Sequence, residues 1–399
     1  MTDIEASRTA PEAFEAGFRL RDVVVRELDA RWPAGADGLD EVCRHSLLPA
    51  GKLFRPCLLL ASTQAVGGDP MSVLPAAVAA EFGHVGSLIH DDIIDADAVR
   101  RGRPAAHRKY GVDEAIVAGD LLFFSLFECL AECRERGVPA DRVVTAVAAI
   151  SRAGMDLCRG QSLEARLTGR RVFEVGPYLE MVRLKTAALF RAACEVGGIL
   201  GGGGPAALAS LVSYANHLGV AFQVHDDLLA YTSDAESAGK APTSDIRNGR
   251  PVLPVIFAHR NGGESSRRRI EDCLSGRTDP AEALAALTVI LRTSGAIDES
   301  LALAGRHACA AVAALDGLPH GEGRDLLAEF VTRALAALPG AGTGAEMGAG
   351  TGAEMGAGSS AKAGAATGAG ASTATDAEIG AGSGAKAAAA TGTAGNRPG

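Results

Sequence analysis

The sequence contains no CxxC pair, and no histidine lies at zinc-site spacing from a cysteine. Its eight cysteines, at 43, 57, 129, 133, 158, 194, 273 and 309, therefore outline neither a structural zinc site nor a redox motif. Cys129 and Cys133 share a helical face, but with no further ligand beside them they read as core residues. Scattered, reduced cysteines and the lack of a signal-peptide pattern lead to the expectation of a cytoplasmic protein. No apolar run reaches bilayer-spanning length, so no transmembrane segment is expected. Nor is there an excess of positive charge: 39 Lys and Arg stand against 48 Asp and Glu, a net charge of −9. That balance argues against a nucleic-acid partner, so clusters of Lys and Arg need a local explanation such as phosphate. Runs of alternating β-branched residues are also missing, which removes the usual signature of a sheet.

What is present is helical periodicity. Phe14, Phe18, Leu20, Val24, Val25 and Leu28 recur at helical spacing between Pro11 and Trp32, with Glu and Arg between them. Further helices are predicted over 51–66, 72–95, 112–136, 140–168, 177–200 and 206–232, separated by breaks such as Gly137-Val138-Pro139 and Gly201 to Pro205. Shorter ones follow at 252–260, 267–275, 280–293, 296–315 and 321–338. With 47% hydrophobic residues to build a core, the fold class expected is an all-α helical bundle. The bundle is assigned to residues 1–338. From Pro339 to Gly399 the chain is mostly Gly, Ala, Ser and Thr, has no aromatic residue, and repeats TGAEMGAG twice in tandem. Such a segment cannot bury enough apolar surface to offset its ordering entropy, and 339–399 is expected to be a disordered tail.

The stretch His90 to Pro104, HDDIIDADAVRRGRP, carries the densest chemistry. Asp91, Asp92 and Asp95 stand at i, i+1 and i+4, so one helical turn is expected to aim all three carboxylates at one spot, where their repulsion calls for a divalent cation. A second His-Asp-Asp, with Asp226 and Asp227, lies 135 residues downstream behind a similar apolar run. Lys52 and Arg55, Lys185 with Thr186, and Lys240 supply cations and a hydroxyl at spacings that suit phosphate. Carboxylates holding Mg²⁺ among Lys and Arg make a site for a metal-bridged diphosphate.

The order GK-x-x-RP, HDD-x-x-D, RRGRP, GD, KT, FQ-x-x-DD, GK and SD, over roughly residues 45 to 260, resembles the trans-type polyprenyl diphosphate synthases, of the geranylgeranyl diphosphate synthase kind. The resemblance implies an isoprenoid-synthase-like bundle with a central cavity, a homodimer, and head-to-tail condensation of isopentenyl diphosphate with an allylic diphosphate.

 On that resemblance, Asp91, Asp92, Asp95 and Asp226 hold the metal, with Asp227 in support. Lys185, Thr186, Gln223, Lys240 and Arg100 match the family's contacts to the allylic diphosphate, and Lys52, Arg55, His84 and Arg101 those to isopentenyl diphosphate. Asp97 is read either as a solvated loop residue or as part of the site, and Asp245 as a residue that steadies the loop after Lys240. Two departures stand out: Ala230 occupies the place of a third Asp in the second motif, and AGK at 50–52 replaces the usual GGK.

The family stops chain growth with bulky side chains four or five residues before the first Asp. Here those positions are Ser87 and Gly86, with Gly83, Ala80 and Ala79 beyond them. Small residues there imply an open tunnel and a C20 or longer product, with Phe123, Phe124 and Phe127 as candidate floors. Three other readings stay open: a class I terpene cyclase, a metal phosphohydrolase built on the His90-Asp91 and His225-Asp226 pairs, and a non-catalytic subunit of a heteromeric synthase.

Overall fold

The computed structural model describes residues 10–35, 37–232 and 243–335. The expected tail, 339–399, lies outside the described residues, as does Lys240. The chain runs through α1 (Ala10–Arg31), α2 (Gly38–Leu47), α3 (Phe54–Ala65) and α4 (Leu74–Ile94), then a two-stranded hairpin of β1 (Val99–Arg100) and β2 (Arg103–Pro104). There follow α5 (Ala106–Tyr110), α6 (Val112–Glu132), α7 (Ala140–Arg170) and α8 (Val175–Val182). A π-turn over Arg183–Ala187 leads into α9 (Ala188–Gly201), and α10 (Pro205–Thr232) comes next. The remainder comprises α11 (Ser244–Arg247), α12 (Leu253–Asn261), α13 (Glu264–Cys273), α14 (Pro280–Thr293), α15 (Ala296–Ala314) and α16 (Glu322–Leu335). The all-α expectation holds, and no helix among the described residues is long and apolar enough to cross a membrane.

The helix ends follow local chemistry. Pro75 opens α4, where its missing N–H would have had no partner, and the Asp279 carboxylate caps α14 by accepting from the backbone N–H groups of Ala281 and Glu282. The segment expected as one helix over 177–200 is instead two, joined by the π-turn, because Lys185 and Thr186 sit where the chain takes an extra residue into the turn. Two glycines make room for that bulge: a Cβ on Gly160 of α7 would lie 2.4 Å from the Lys185 backbone nitrogen, and one on Gly219 of α10 would lie 2.6 Å from the Ala187 Cα.

Two large hydrophobic clusters, with a small third of Ala153, Ala188 and Ala192, form the core of the described residues. The larger is built from α1 to α7, α9, α10, α15 and α16, and the smaller from α8 and α10 to α15. Helix α10 serves both, offering Leu211, Tyr214 and Leu218 to the first and Val220, Val224 and Leu228 to the second. Its first half is thus held by one cluster and its last turns by the other. The buried cysteines 129 and 133 lie in the larger cluster, in keeping with their reading as core residues.

Candidate active site

The ends of α4 and α10, the last turns of α7, the π-turn and the segment after α11 meet at one place. Asp91, on the last turns of α4, lies 3.4 Å from the Lys185 ammonium, and Lys185 donates a 2.7 Å hydrogen bond to Glu164 of α7. Asp95, the residue that closes α4, accepts from both terminal nitrogens of Arg250, one of them at 3.0 Å, and the same guanidinium reaches Glu164 at 3.2 Å and Asp245 at 3.4 Å. Lys185 and Arg250 thus each serve more than one carboxylate. Burial raises the pKa of Asp91, with Lys185 opposing the shift.

The three carboxylates of the first motif do not share one spot. A helix turns about 100° per residue, so Asp91 and Asp95 face one way and Asp92 the next. Asp92 is buried and accepts a 2.9 Å hydrogen bond from Arg100. It lines a separate basic cavity of about 40 Å³ with Arg100, Arg101, Arg103 and His45, on the face of α4 that also carries Val85 and Ile89. Asp97 is no solvated loop residue. It is buried, accepts from Ser244 at 2.7 Å and from Arg247 at 2.5 Å, and so ties the loop after the first motif to the segment after the second.

On α10 the pattern differs. Asp227 is buried and accepts from Tyr178 at 2.5 Å, from Gln223 at 2.9 Å and from the Leu253 backbone N–H at 3.1 Å. Burial dominates over these hydrogen bonds and pushes its pKa up to about 7. Gln223 in turn accepts from Thr186 at 2.6 Å, so Asp227 orients the amide that orients the π-turn hydroxyl. Asp226 is exposed, and its charge acts on the Arg55 guanidinium. Ala230 packs against the smaller core cluster.

The second basic group sits beside the first. Arg55 stacks over Phe190 with its guanidinium carbon 4.6 Å from the ring centre. Burial lowers its pKa to about 10, while Glu81 and Asp226 act in the opposite sense. Arg101 approaches Glu81 at 3.5 Å, and the backbone leaves room for it only because residue 51 is glycine: a Cβ there would meet the guanidinium at 2.8 Å. His84 is held neutral, its pKa well below the usual value through burial and the charges of Arg55, Arg101 and Arg100. Exposed Lys52 lies near enough to His225 that its charge, added to burial, lowers that imidazole to about 4.

Among the described residues no three His, Cys, Asp or Glu side chains already converge as a metal site. In kind, however, the oxygens of Asp91, Asp95, Glu164 and Asp226 are the hard donors that Mg²⁺ takes, and the pairing of the first three with two flexible cations places negative charge where a divalent ion is favoured. The two His-Asp pairs do not make a phosphohydrolase centre. His90 turns toward α6 and contacts the Ile116 carbonyl oxygen at 3.1 Å, while His225 is buried.

A small apolar cavity of about 10 Å³ lies further along α4, lined by Ala76, Ala79 and Ala80 with Leu126, Leu130 and Leu59. Gly83 and Gly86 also pack against a neighbouring helix. A Cβ on Gly83 would come to 3.0 Å of Leu126, and one on Gly86 to 3.1 Å of the Gly119 carbonyl oxygen, so both let α4 lie close to α6. Ser87 donates to the His84 carbonyl oxygen at 2.7 Å. Phe123 borders Gly86, but Phe124 and Phe127 are 73% and 41% exposed and do not floor the cavity.

The motif reading missed Glu164, Arg250, Glu81 and Tyr178. A signal for Arg250 was present: RNGRP at 247–251 echoes RRGRP at 100–104. Glu164 and Glu81 had none, since one acidic residue on a helix looks like any other until its neighbours are known.

A family model described as polyprenyl synthetase matches residues 36–291. The short chain isoprenyl diphosphate synthase of Methanothermobacter thermautotrophicus is 38% identical over 71% of this chain and 86% of its own. The geranylgeranyl diphosphate synthase of Methanosarcina mazei is 39% identical over 56% and 68%, and the (2E,6E)-farnesyl diphosphate synthase of Mycobacterium tuberculosis 36% over 64% and 71%. Among solved structures, geranylgeranyl pyrophosphate synthetase from Pyrococcus horikoshii superposes with a TM-score of 0.74 at 34% identity, covering 82% of this chain and 98% of that one. Polyprenyl synthase from Caulobacter crescentus, complexed with calcium and isoprenyl diphosphate, gives 0.75 at 29% identity over 83% and 99%.

Proposed function

The chain belongs to the polyprenyl synthetase family, and from that premise we propose that it joins isopentenyl diphosphate head to tail with an allylic diphosphate to give an all-trans product of C20 or longer. The observation that carries this reading is the placement of Asp91 and Asp95, against Lys185 and Arg250, at one end of a helix whose Ala80 and Ala76 line an apolar cavity. Ala80 stands eleven residues before Asp91, ~16 Å along the axis at ~1.5 Å per residue.

In this reading Asp91, Asp95 and Asp226 hold Mg²⁺, which when bound offsets the charge that builds on the departing diphosphate. Asp92 acts behind them by fixing Arg100. Lys185, Thr186, Gln223, Arg100 and Lys240 bind the allylic diphosphate, with Thr186 and Gln223 aligned by Asp227. Lys52, Arg55, His84 and Arg101 bind isopentenyl diphosphate. Holding the two reactants in adjacent pockets makes the encounter nearly intramolecular. The allylic carbon–oxygen bond breaks, the isopentenyl double bond attacks the carbon, and the proton then lost goes to the released diphosphate. The apolar residues beneath exclude water from the cation.

Two further assignments accompany this one. Exposed Ile116, Val117, Phe124 and Phe127 on α6 give an apolar stripe suited to a second copy, which supports a homodimer. The chain is placed in the cytoplasm, where both substrates would be met in water. Incubation with Mg²⁺, isopentenyl diphosphate and each allylic primer, followed by product chromatography, tests the reading. A C20 or longer product is expected from the natural chain and a shorter one from Ala80→Phe. Cyclised hydrocarbon would indicate a terpene cyclase, and no product with any primer would leave a non-catalytic subunit.

A further inference from the structure

Glu81 takes no part in the reaction as described, yet it lies at the centre of the second basic group. It stands ten residues before Asp91 on α4, with a side chain 2% exposed, between Arg55 of α3 and Arg101 of the hairpin turn. A carboxylate so buried ordinarily takes close, well-directed hydrogen bonds. Here the approach to Arg101 is 3.5 Å, and Arg55 Nε, Arg101 Nη1 and Glu81 Oε1 are all buried without a well-directed partner among the described residues. The contrast with Arg250 is sharp, since that guanidinium engages both Asp95 oxygens. What keeps the two loosely paired arginines in place is partly apolar: the Phe190 ring lies under Arg55, and the bare backbone of Gly51 lies against Arg101.

Resting on the proposed function, we propose that Glu81 is the resident counter-ion of the isopentenyl diphosphate pocket. It is a positioning residue that holds Arg55 and Arg101 ready without saturating them, and it yields them to the incoming diphosphate. The consequence has a definite sign. In the empty pocket Glu81 supplies the counter-charge, whereas in the filled pocket the diphosphate does so. Removing the carboxylate therefore destabilises the empty state more than the filled one, and binding tightens. Glu81 sets a ceiling on affinity and so favours turnover over retention.

The test is Glu81→Gln, which keeps the shape and removes the charge. The KM for isopentenyl diphosphate should fall about tenfold, the equivalent of ~1.4 kcal/mol. The KM for the allylic substrate should stay unchanged, and isopentenyl diphosphate should raise the Tm of the variant more than that of the natural enzyme. Glu81→Asp keeps a charge but holds it farther from Arg101, so its KM should fall by about threefold, and it serves if the Gln variant does not fold. A rise in that KM in either variant, or no change in both, overturns the assignment. Failure of the natural enzyme with every primer would instead remove the proposed function, independently of Glu81.

Discussion

The two His-Asp-Asp stretches are nearly the same in sequence and are held in opposite ways. At the end of α4, Asp91 and Asp95 meet the cations Lys185 and Arg250. At the end of α10, Asp227 meets the neutral donors Tyr178, Gln223 and the Leu253 N–H. Burial raises both Asp91 and Asp227: at Asp91 the Lys185 charge opposes the shift, whereas at Asp227 burial outweighs the neutral donors and carries the pKa to about 7, the behaviour of a scaffold carboxyl. Only Asp226 of the second stretch faces outward. Identical letters thus take different work from different neighbours.

That contrast is broken most directly by removing charge from the outward-facing carboxylates. Asp91→Asn and Asp226→Asn should each slow turnover on the order of a hundredfold or more, ~2.7 kcal/mol in barrier. Natural turnover in either variant would refute its assignment as a metal ligand. Next in size is the π-turn that joins the two ends. Gly160→Ala drives a Cβ to 2.4 Å from the Lys185 nitrogen and should cost on the order of tenfold in kcat/KM, with circular dichroism showing the helices intact.

A smaller effect sharpens the scaffold role. Because the Asp227 pKa is raised to about 7 in the folded protein, above its unfolded value, the proton it holds contributes stability that is fully present below the unfolded pKa. That contribution is lost as pH rises through about 7. In metal-free protein, the Tm of Asp227→Asn relative to the natural chain should therefore climb between pH 5 and pH 7 and level off above. A difference that stays constant with pH would show Asp227 to be ionised throughout. The smallest effect is expected from deleting 340–399, which should leave activity within a few-fold; a hundredfold loss would make the tail part of the site.

Much of this could be read from the order of residues. The absence of alternating β-branched runs and the helical spacing of apolar positions led to an all-α bundle, and most of the long helices lie close to their expected spans. The helices α2 and α11 are short and lack a long apolar period, so periodicity could not find them. The π-turn escaped because a π-bulge has no composition of its own; it follows from room left by Gly160 and Gly219, on two other helices. Gly83 and Gly86, read from the sequence as an open wall, carry a packing role that the sequence did not show. A small residue records that something comes close, and the sequence does not say whether that is a substrate or, as here, α6.

The linear sequence by itself determined the helical class, the family, and which residue types could handle diphosphate and metal, because periodicity and motif order are properties of the chain alone. The tertiary structure decided which carboxylates meet cations and which meet neutral donors, which arginines are loosely paired and where the apolar cavity begins. Those outcomes depend on burial and on partners brought together from distant helices, and no local stretch of chain contains them.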